Sequence, residues 1–574
     1  MKPTISRLLA HHARFRPDHL ALVCGGREYT FAQLHRAVSR LANAWRDNGL
    51  GHGDKVATVL PNGFELIAAY WAAATSGVVI VPCSTLLRGG GLKTLLRDSD
   101  SKAVIAHRAH ADEIDSIRAD LDGIARERFI LVDDDGDGDG DNDSTDGWTT
   151  YANFIADASE TDPRTQINGD DAYNIMYSSG TTGAPKGIVH SHYTRAMYCA
   201  LFANAWRMTP ESVVLHAGAL VFNGAMLGLM PWMYLGCRYI LQRRFDAEAF
   251  IAEVAARRAT HALLVPTQVV AVLDSPAFAP RKLESLQMLC SLGAPLHLTH
   301  KQRLNDALPG RFHELYGVTE GFMTILDKTD ATRKAGSVGT PAAFTQACIL
   351  DDDDRPCAAN VIGEICGRGP LLMRGYHNQP EQTARAMRNG WLHSGDLGYL
   401  DDDGFLFLVD RKKDMIVSGG ANVYPKDIEE VVSRHPQVTE AAVFGVPDSK
   451  WGEAPVAAVT CRGALSADAL IAWVNQRVDA KYQRIADAVV LKQFPRNVAG
   501  KVLKRTLREE YGARACLCCE KGIPKERPRV CPVCRHQFQG NGWDGIDAHW
   551  RAKHEKDVMQ YEDFWNALCS AHKS

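Results

Sequence analysis

The first hundred residues alternate between strand-like and helix-like segments, and this alternation restricts the possible fold more than any other feature. Two short apolar runs typical of buried strands, KVATVL at 55–60 and VVIVPC at 78–83, flank an apolar helical segment, FELIAAYWAAATSG. Because two strands joined through a helix normally run in the same direction, the pattern predicts an α/β fold with parallel strands.

The residues before these strands carry two further local signals. LALVCGGREYTF predicts a β-hairpin that turns at Gly25 and Gly26, since glycine accepts the backbone angles of a tight turn. The segment after it repeats apolar residues at helical spacing, which predicts an amphipathic helix with one buried face: Leu34, Val38, Leu41, Ala42 and Trp45.

Composition limits the class of protein. The chain has 574 residues, enough for roughly two to four domains, and a net charge of -3, which argues against a dominant nucleic-acid surface. Because no apolar run approaches the roughly 18 residues of a membrane span and the N-terminus lacks the core of a signal peptide, we expect a cytoplasmic protein. Six of the fifteen cysteines follow residue 512, which favours a metal site there.

An acidic run, DDDGDGDGDNDSTD, occupies residues 133–146. Five of its residues match calcium-loop spacing with Asp in place of the usual final Glu. No helical pattern flanks the run, so a solvated acidic loop is the favoured interpretation and calcium binding is the alternative.

YSSGTTGAPKGIVH, residues 177–190, is the strongest catalytic signal in the chain. Its hydroxyl side chains, its glycines and Lys186 together suit a triphosphate, because they supply donors, close backbone approach and positive charge. Pro185 before Lys186 separates it from the common P-loop. Taken alone, the run is also compatible with a flexible surface loop.

Four more motifs follow in order: LYGVTEG (315–321), WLHSGDLGYLDDDG (391–404), VDRKKDMIVSGGANVYPKDIEE (409–430) and FPRNVAGKVLKRTLRE (494–509). Together the five resemble the adenylate-forming superfamily of acyl- and aryl-CoA synthetases, luciferases and peptide-synthetase adenylation domains. The resemblance implies a large multi-subdomain domain over 1–410 and a small mobile α+β domain over 411–512. A zinc-binding ββα-like tail over 513–574 would follow them.

The resemblance also implies a reaction in two halves. A carboxylic acid attacks the α-phosphate of ATP to give an acyl-adenylate and pyrophosphate, and coenzyme A then takes the acyl group as a thioester. Lys501 would bring the two anions together during adenylation, and Glu320 would ligate Mg²⁺.

The other implied roles fall to residues that match the family motifs. The phosphates would be held by Ser178, Ser179, Gly180, Thr181, Thr182, Gly183 and Lys186, with Thr319 on the α-phosphate. Adenine would stack on Tyr316 beside Gly317 and the backbone of Gly293, Ala294 and Pro295, and the ribose would meet Asp396 and Arg411. Lys413 would be the hinge between the half-reactions, and Gly419 and Gly420 would line the thiol tunnel.

The acyl pocket is expected near GALVFNGAMLGLMPW, with Val221, Phe222, Asn223 and Met226 as its lining. Val221 stands where many relatives have histidine, so the predicted pocket is apolar and favours an aliphatic, alicyclic or aromatic acid. His216 either substitutes for that histidine or has a structural role.

The tail offers two sets of zinc ligands. Cys531, Cys534, His549 and His554 form the favoured Cys2His2 set, because Phe538 and Ile546 also occupy the core positions of such a finger. Cys516 and Cys519 with Cys531 and Cys534 form the alternative. Val558, Tyr561, Trp565 and Leu568 repeat at helical spacing, which suits packing within the tail, a protein partner or self-association.

The sequence therefore predicts an AMP-forming acid–CoA ligase that uses ATP, Mg²⁺ and coenzyme A and carries Zn²⁺ in its tail. One alternative is an adenylate-forming enzyme that loads a free-standing carrier protein or another nucleophile. An alternative of another class is a zinc-finger protein that binds nucleic acid or protein, and the small basic excess of the tail argues against nucleic acid.

Overall fold

The structure is a computed structural model, and it describes residues 2–133, 147–178, 186–412, 414–419, 421–448, 451–496 and 501–514. The chain forms two compact units. The larger unit runs to residue 413 and includes Lys501, and the smaller unit begins at Asp414. The acidic run after Asp133 and the tail after Arg514 lie outside the described residues.

The strands of the larger unit are, in chain order, β1 Leu20–Cys24, β2 Arg27–Thr30, β3 Lys55–Val59, β4 Val79–Pro82, β5 Ser101–His107, β6 Phe129–Val132, β7 Thr149–Thr150, β8 Ala172–Ser178, β9 Lys186–Ser191, β10 Val213–His216, β11 Arg238–Leu241, β12 His261–Leu264, β13 Met288–Leu292, β14 Phe312–Gly317, β15 Met323–Leu326, β16 Thr340–Pro341, β17 Gln346–Leu350, β18 Gly363–Arg368, β19 Gly375–Tyr376, β20 Met387–Arg388, β21 Trp391–Leu400 and β22 Leu406–Arg411.

Its α-helices are α1 Leu8–Phe15, α2 Phe31–Asp47, α3 Phe64–Ser76, α4 Gly89–Asp98, α5 Ala111–Arg118, α6 Tyr151–Ile155, α7 His192–Ala205, α8 Met226–Leu235, α9 Ala247–Arg257, α10 Pro266–Asp274, α11 Leu298–Ala307 and α12 Pro380–Ala386.

Two large sheets organise this unit. The first has the strand order β16-β15-β14-β13-β12-β10-β11-β1-β2, and its central strands are parallel. The second has the order β19-β9-β8-β4-β3-β5-β6-β7, with β3 to β8 parallel and β9 antiparallel. The predicted parallel α/β architecture is confirmed, and β3 and β4 lie within the two predicted strand segments.

The local predictions for the first fifty residues are also confirmed. β1 and β2 pair as an antiparallel hairpin, and Gly25 and Gly26 between them have φ of 58° and 77°. These positive angles explain the glycine pair, because a side chain would be strained there. Helix α2 starts at a capping box formed by Thr30 and Gln33, and the predicted face is buried.

A shared layer of helices separates the two large sheets. One hydrophobic cluster contains residues of α2, α3, α7 and α8 together with residues of both sheets, such as Leu22 and Ile80. Because neighbouring strand residues point to opposite faces, Val23 and Val79 belong to two other clusters, each covering the outer face of one sheet. The unit therefore has five layers, with helices outside and between the sheets.

A third, antiparallel sheet completes the larger unit. Its order is β17-β18-β21-β20, and β22 pairs with β21 along the same edge as β20, farther along the strand. β21 and β22 form the hairpin that turns through residues 401–405. This hairpin carries Asp396 and Arg411 directly opposite each other, which matters for the candidate site.

The smaller unit is an α+β domain with the strands β23 Ile416–Ser418, β24 Ala421–Val423, β25 Val438–Asp448, β26 Gly452–Cys461 and β27 Asp487–Val490, and the helices α13 Pro425–Ser433, α14 Ala467–Asn475 and α15 Lys504–Arg514. Its helices α13 and α14 pack on one sheet face and share a core with Ile416, Val443 and Ile485. No helix in the described part of the chain is long and apolar enough to cross a membrane.

Candidate active site

The β8–β9 hairpin presents the two ends of the predicted phosphate loop. Ser178 ends β8 and lies opposite Lys186 at the start of β9. The residues between them, which include Ser179, Gly180, Thr181, Thr182 and Gly183, lie outside the described part of the chain. The ammonium of Lys186 lies 5.0 Å from the centroid of the Tyr376 ring, which holds the cation beside the hairpin.

The predicted adenine residues follow two neighbouring parallel strands. Gly293, Ala294 and Pro295 come directly after β13, and Tyr316 and Gly317 end β14. Gly293 has a φ of 88°, which favours glycine at the point where the chain leaves the strand. The carboxyl ends of parallel strands are the usual place for ligands in sheets of this kind.

A tight turn after β14 presents Thr319 and Glu320. Gly321 has a φ of 111°, and a Cβ there would lie 1.9 Å from the carbonyl oxygen of Leu371, so only glycine fits. The Thr319 carbonyl accepts a hydrogen bond from His190 Nε2 (2.9 Å), and the Glu320 carbonyl accepts one from the Met373 N–H (2.7 Å). Both peptide groups are therefore held in fixed orientations.

The Glu320 carboxylate is oriented by a phenol. Tyr376 Oη donates a hydrogen bond to Glu320 Oε1 at 2.8 Å. Burial and the charge of Glu320 raise the pKa of the Tyr376 phenol, so the phenol remains a donor across the physiological range. One carboxylate oxygen is thereby occupied, and the orientation of the other is set.

Asp396 is held in a comparable way on the β21–β22 hairpin. Tyr316 Oη donates to Asp396 Oδ2 at 2.8 Å, and Arg411 Nε lies 3.6 Å from Asp396 Oδ1. Burial, followed by the Asp396 carboxylate, raises the pKa of the Tyr316 phenol. The Ser394 hydroxyl accepts a hydrogen bond from the Asp396 N–H, which fixes the turn before the carboxylate.

Lys501 belongs to the larger unit, and the residue as a whole is exposed. Desolvation of its ammonium lowers the pKa of Lys501, as does the positive charge of Arg411. The carboxylates of Asp396 and Glu320 raise that pKa. The charges that act on Lys501 are therefore those of the predicted ribose and magnesium residues.

The predicted acyl-pocket residues lie between β10 and α8. Val221 and Met226 belong to the main hydrophobic core, and Phe222 packs against it. Asn223 turns its amide inward, since Oδ1 accepts from Arg195 Nη1 (2.9 Å) and Nδ2 donates to Tyr198 Oη (3.2 Å). The predicted lining is therefore apolar except for Asn223, and most of it packs in the core.

His216 ends β10 and is buried beside that segment. Burial lowers its pKa to about 4, so the ring is neutral at physiological pH. It stacks on the ring of Tyr239 with centroids 5.9 Å apart.

Three residues that hold the predicted site residues in place were not predicted from the sequence: Tyr376, His190 and Arg195. Tyr376 contacts a residue 56 positions away, and nothing in its local sequence indicates that contact. His190 lies within the predicted phosphate motif, and nothing in that motif indicates its hydrogen bond to the Thr319 carbonyl. Arg195 carries the one available signal, since it is the one Arg, Lys, Asp or Glu residue in a largely apolar helix.

Several predicted residues concern the smaller unit or the tail. Gly419 has a φ of 60°, and a Cβ there would lie 2.8 Å from the Trp451 ring. Gly420, Lys413 and both predicted zinc ligand sets lie outside the described residues. Within the described part, the nine cysteines are free thiols and no cluster of His, Cys, Asp and Glu could hold a metal ion.

Comparisons with known proteins agree with this arrangement. Residues 9–377 match the model of the AMP-binding enzyme family, and residues 427–501 match that of the AMP-binding enzyme C-terminal domain. A feruloyl-CoA synthase of Amycolatopsis sp is 33% identical over 506 residues, which cover 87% of this chain and 97% of the relative.

Two further comparisons cover similar lengths. The long-chain-fatty-acid–CoA ligase FadD13 of Mycobacterium tuberculosis is 32% identical over 84% of this chain and 93% of its own. The solved structure of an O-succinylbenzoate coenzyme A synthetase from Bacillus subtilis, in complex with ATP and magnesium ion, gives a TM-score of 0.77. It is 27% identical and covers 88% of this chain and 100% of that chain. The chain belongs to the AMP-binding enzyme family.

Proposed function

We propose that this protein is an AMP-forming acid–CoA ligase that activates an apolar carboxylic acid. The proposal is supported by the charges that act on Lys501, since the carboxylates of Glu320 and Asp396 both raise its pKa and Arg411 lowers it. A magnesium ligand, a ribose acceptor and a mobile cation are the groups that attack on the α-phosphate of ATP requires.

ATP would lie across the carboxyl ends of β13 and β14. Its phosphates would reach the β8–β9 hairpin, where the proposed ligands are Ser178, Ser179, Gly180, Thr181, Thr182, Gly183 and Lys186. Tyr316 with the backbone of Gly293, Ala294, Pro295 and Gly317 would take adenine. Asp396 would accept the ribose hydroxyls through the oxygen that Tyr316 leaves available, with Arg411 beside it.

Magnesium fits Glu320, since a carboxylate is a hard oxygen ligand and Tyr376 leaves one of its oxygens available. When bound, Mg²⁺ neutralises phosphate charge as pyrophosphate leaves. The chain's own contribution is to orient that carboxylate and to hold Thr319 at the α-phosphate.

Lys501 would bridge the acid's carboxylate and the α-phosphate during adenylation. Lys413 would then serve as the hinge that withdraws Lys501, and Gly419 and Gly420 would line the path of the thiol. Coenzyme A is the proposed acceptor, and a free-standing carrier protein is the alternative that the first experiment separates.

The acid is proposed to be aliphatic, alicyclic or aromatic. The support is the apolar character of this segment: Val221 and Met226 are buried in the core, Phe222 packs against it, and the amide of Asn223 is already occupied by Arg195 and Tyr198. A polar or amino-bearing acyl chain would leave its own hydrogen-bonding groups without partners there.

The function is tested by pyrophosphate release with ATP and a panel of apolar, polar and amino acids, with and without coenzyme A. We expect turnover only with apolar acids, and we expect coenzyme A to increase it because the thiol removes the adenylate. Turnover without any effect of coenzyme A would favour a carrier protein or another nucleophile. No turnover with any acid would contradict the proposal.

The role of Lys501 is tested with Lys501→Ala. We expect ATP–pyrophosphate exchange to fall by about 100-fold or more, because the ammonium no longer offsets repulsion between two anions. Thioester formation from supplied acyl-adenylate should be largely retained. Lys492→Ala, at an exposed position of the smaller unit, is the matched control. Equal losses in both half-reactions would contradict this role.

The role of Glu320 is tested with Glu320→Gln, which keeps the shape of the side chain and removes its charge. We expect the Mg²⁺ concentration for half-maximal exchange to rise by about tenfold or more, since a ligand carboxylate is lost. Glu381→Gln, whose side chain is 87% exposed, should leave the magnesium dependence unchanged. An unchanged requirement in Glu320→Gln would rule out metal ligation.

We also propose that the tail binds zinc through Cys531, Cys534, His549 and His554, and the support is ligand spacing. Metal analysis should find about one zinc ion per chain. Loss of zinc in His549→Ala/His554→Ala supports this set, whereas loss in Cys516→Ala/Cys519→Ala with retention in the histidine variant supports four cysteines. A zinc-free wild-type protein would contradict both.

The tail is proposed to serve stability, assembly or a protein partner rather than nucleic acid. Removal of residues 515–574 should then lower the melting temperature or solubility and leave catalysis intact. Salt-sensitive DNA retention that depends on the tail would contradict this role.

A further inference from the structure

A fully buried cation lies in the wall of the candidate site. Arg195 in α7 is 0% exposed, and its guanidinium lies 4.7 Å from the centroid of the Tyr198 ring. Within the described part of the chain no carboxylate pairs with it. A buried charge without a counter-ion destabilises a fold unless its hydrogen bonds are well satisfied, so this arginine calls for an explanation beyond packing.

The guanidinium contacts three neutral acceptors, two on the β8–β9 hairpin and one in the segment just before α8. Nε donates to Asn174 Oδ1 (2.9 Å), Nη1 donates to Asn223 Oδ1 (2.9 Å), and Nη2 contacts His190 Nδ1 (3.2 Å). Asn174 and His190 are already paired across the β8–β9 hairpin. Because a planar guanidinium fixes the directions of its N–H groups, the three contacts hold Asn223 in position relative to that hairpin.

His190 extends this arrangement to the turn after β14. Its Nε2–H donates to the Thr319 carbonyl, so Nδ1 carries the lone pair that accepts from Arg195. Only a neutral imidazole can donate at one nitrogen and accept at the other. Burial and the charge of Arg195 keep the pKa of His190 well below its usual range, which maintains that state.

The residues that Arg195 holds, directly or through His190, lie in different parts of the proposed site. Asn174 lies on β8, which ends at the phosphate-loop residue Ser178. Asn223 begins the turn of the proposed acyl pocket, and Thr319 lies at the proposed α-phosphate position. The side chain of Arg195 is thus connected, directly or through His190, to the three regions that are proposed to bind substrates.

We propose that Arg195 is a positioning residue for adenylation, which holds Asn223 directly and the Thr319 carbonyl through neutral His190, so that the proposed acyl pocket and the α-phosphate keep one fixed separation. This inference rests on the proposed function. Arg195 would then set the distance between the two reacting groups.

Two variants should break the arrangement, and one should preserve it. Arg195→Lys keeps the charge and loses the fork, and His190→Leu loses both nitrogens. We expect kcat for ATP–pyrophosphate exchange to fall by about 10- to 100-fold in both, more than any KM rises, because small misplacements of reacting groups are costly. His190→Gln can still accept from Arg195 and donate to Thr319, so its kcat should stay close to that of the wild type.

Asn43→Leu is the control for a purely structural effect. Asn43 is a buried residue of α2 whose amide donates to the carbonyls of Ser159 (2.6 Å) and Thr161 (2.7 Å). Its loss should lower the melting temperature without changing exchange kinetics. Wild-type exchange in both Arg195→Lys and His190→Leu, or a loss no larger than that of Asn43→Leu, would overturn the inference.

The pH dependence of exchange separates a positioning role from a loss of stability, because a loss of stability alone would not shift the pH at which exchange is lost. Arg195 is the charged group acting on His190, and Tyr70, Tyr173 and Tyr198 face the guanidinium itself. In Arg195→Met the pKa of His190 should rise, so protonation and the loss of exchange begin at a higher pH than in the wild type.

The double variant Arg195→Met/His190→Gln contains no imidazole at this position and should lack that acid limb. Identical pH profiles of the single and double variants would overturn the inference. A wild-type protein without exchange on any acid marks failure of the proposed function, whereas exchange that the variants match marks failure of this inference.

Discussion

The burial of two sheets against one shared helix layer is the constraint on which the rest of the larger unit depends. Helices α2, α3, α7 and α8 are apolar toward both sheets, so neither sheet can rotate without exposing a large apolar surface. Parallel strands then place their carboxyl ends at common edges. Gly293 and Tyr316, which are far apart in the chain, lie at neighbouring strand ends because of this packing, whereas Asp396 reaches Tyr316 from the third, antiparallel sheet.

Within that region, two phenols orient the two important carboxylates. Tyr376 occupies one oxygen of Glu320, and Tyr316 occupies one oxygen of Asp396. Because burial and the adjacent charge raise the pKa of each phenol, both phenols keep their protons and remain donors. Each carboxylate therefore has one oxygen that accepts from a phenol and one that can face the place where a metal ion or a ribose is proposed to bind.

The residues proposed to line the acyl pocket are also residues of the hydrophobic core, so the proposed specificity is linked to stability. Val221 and Met226 are core residues, and a substitution that widened the proposed pocket would also remove packing. The polar groups nearby are directed inward, where Asn223, Arg195 and Tyr198 satisfy one another. A change of acid preference is therefore expected to arise more easily at partly buried Phe222 than at the fully buried positions.

Local patterns in the chain were sufficient to predict the elements with strong signals: the Gly25–Gly26 hairpin, the buried face of α2, and the strand–helix–strand order that makes an α/β fold. Its ordered motifs also identified the family and assigned roles to Glu320, Asp396 and Lys501, which stay predictions until the variants are measured. Only the tertiary structure decided how those side chains are held. The contacts of Tyr376, His190 and Arg195 join residues that no local period connects, since they arise where separate strands and helices meet. Their geometry is set by the packing of whole layers, and a pattern of residue types along the chain does not encode it.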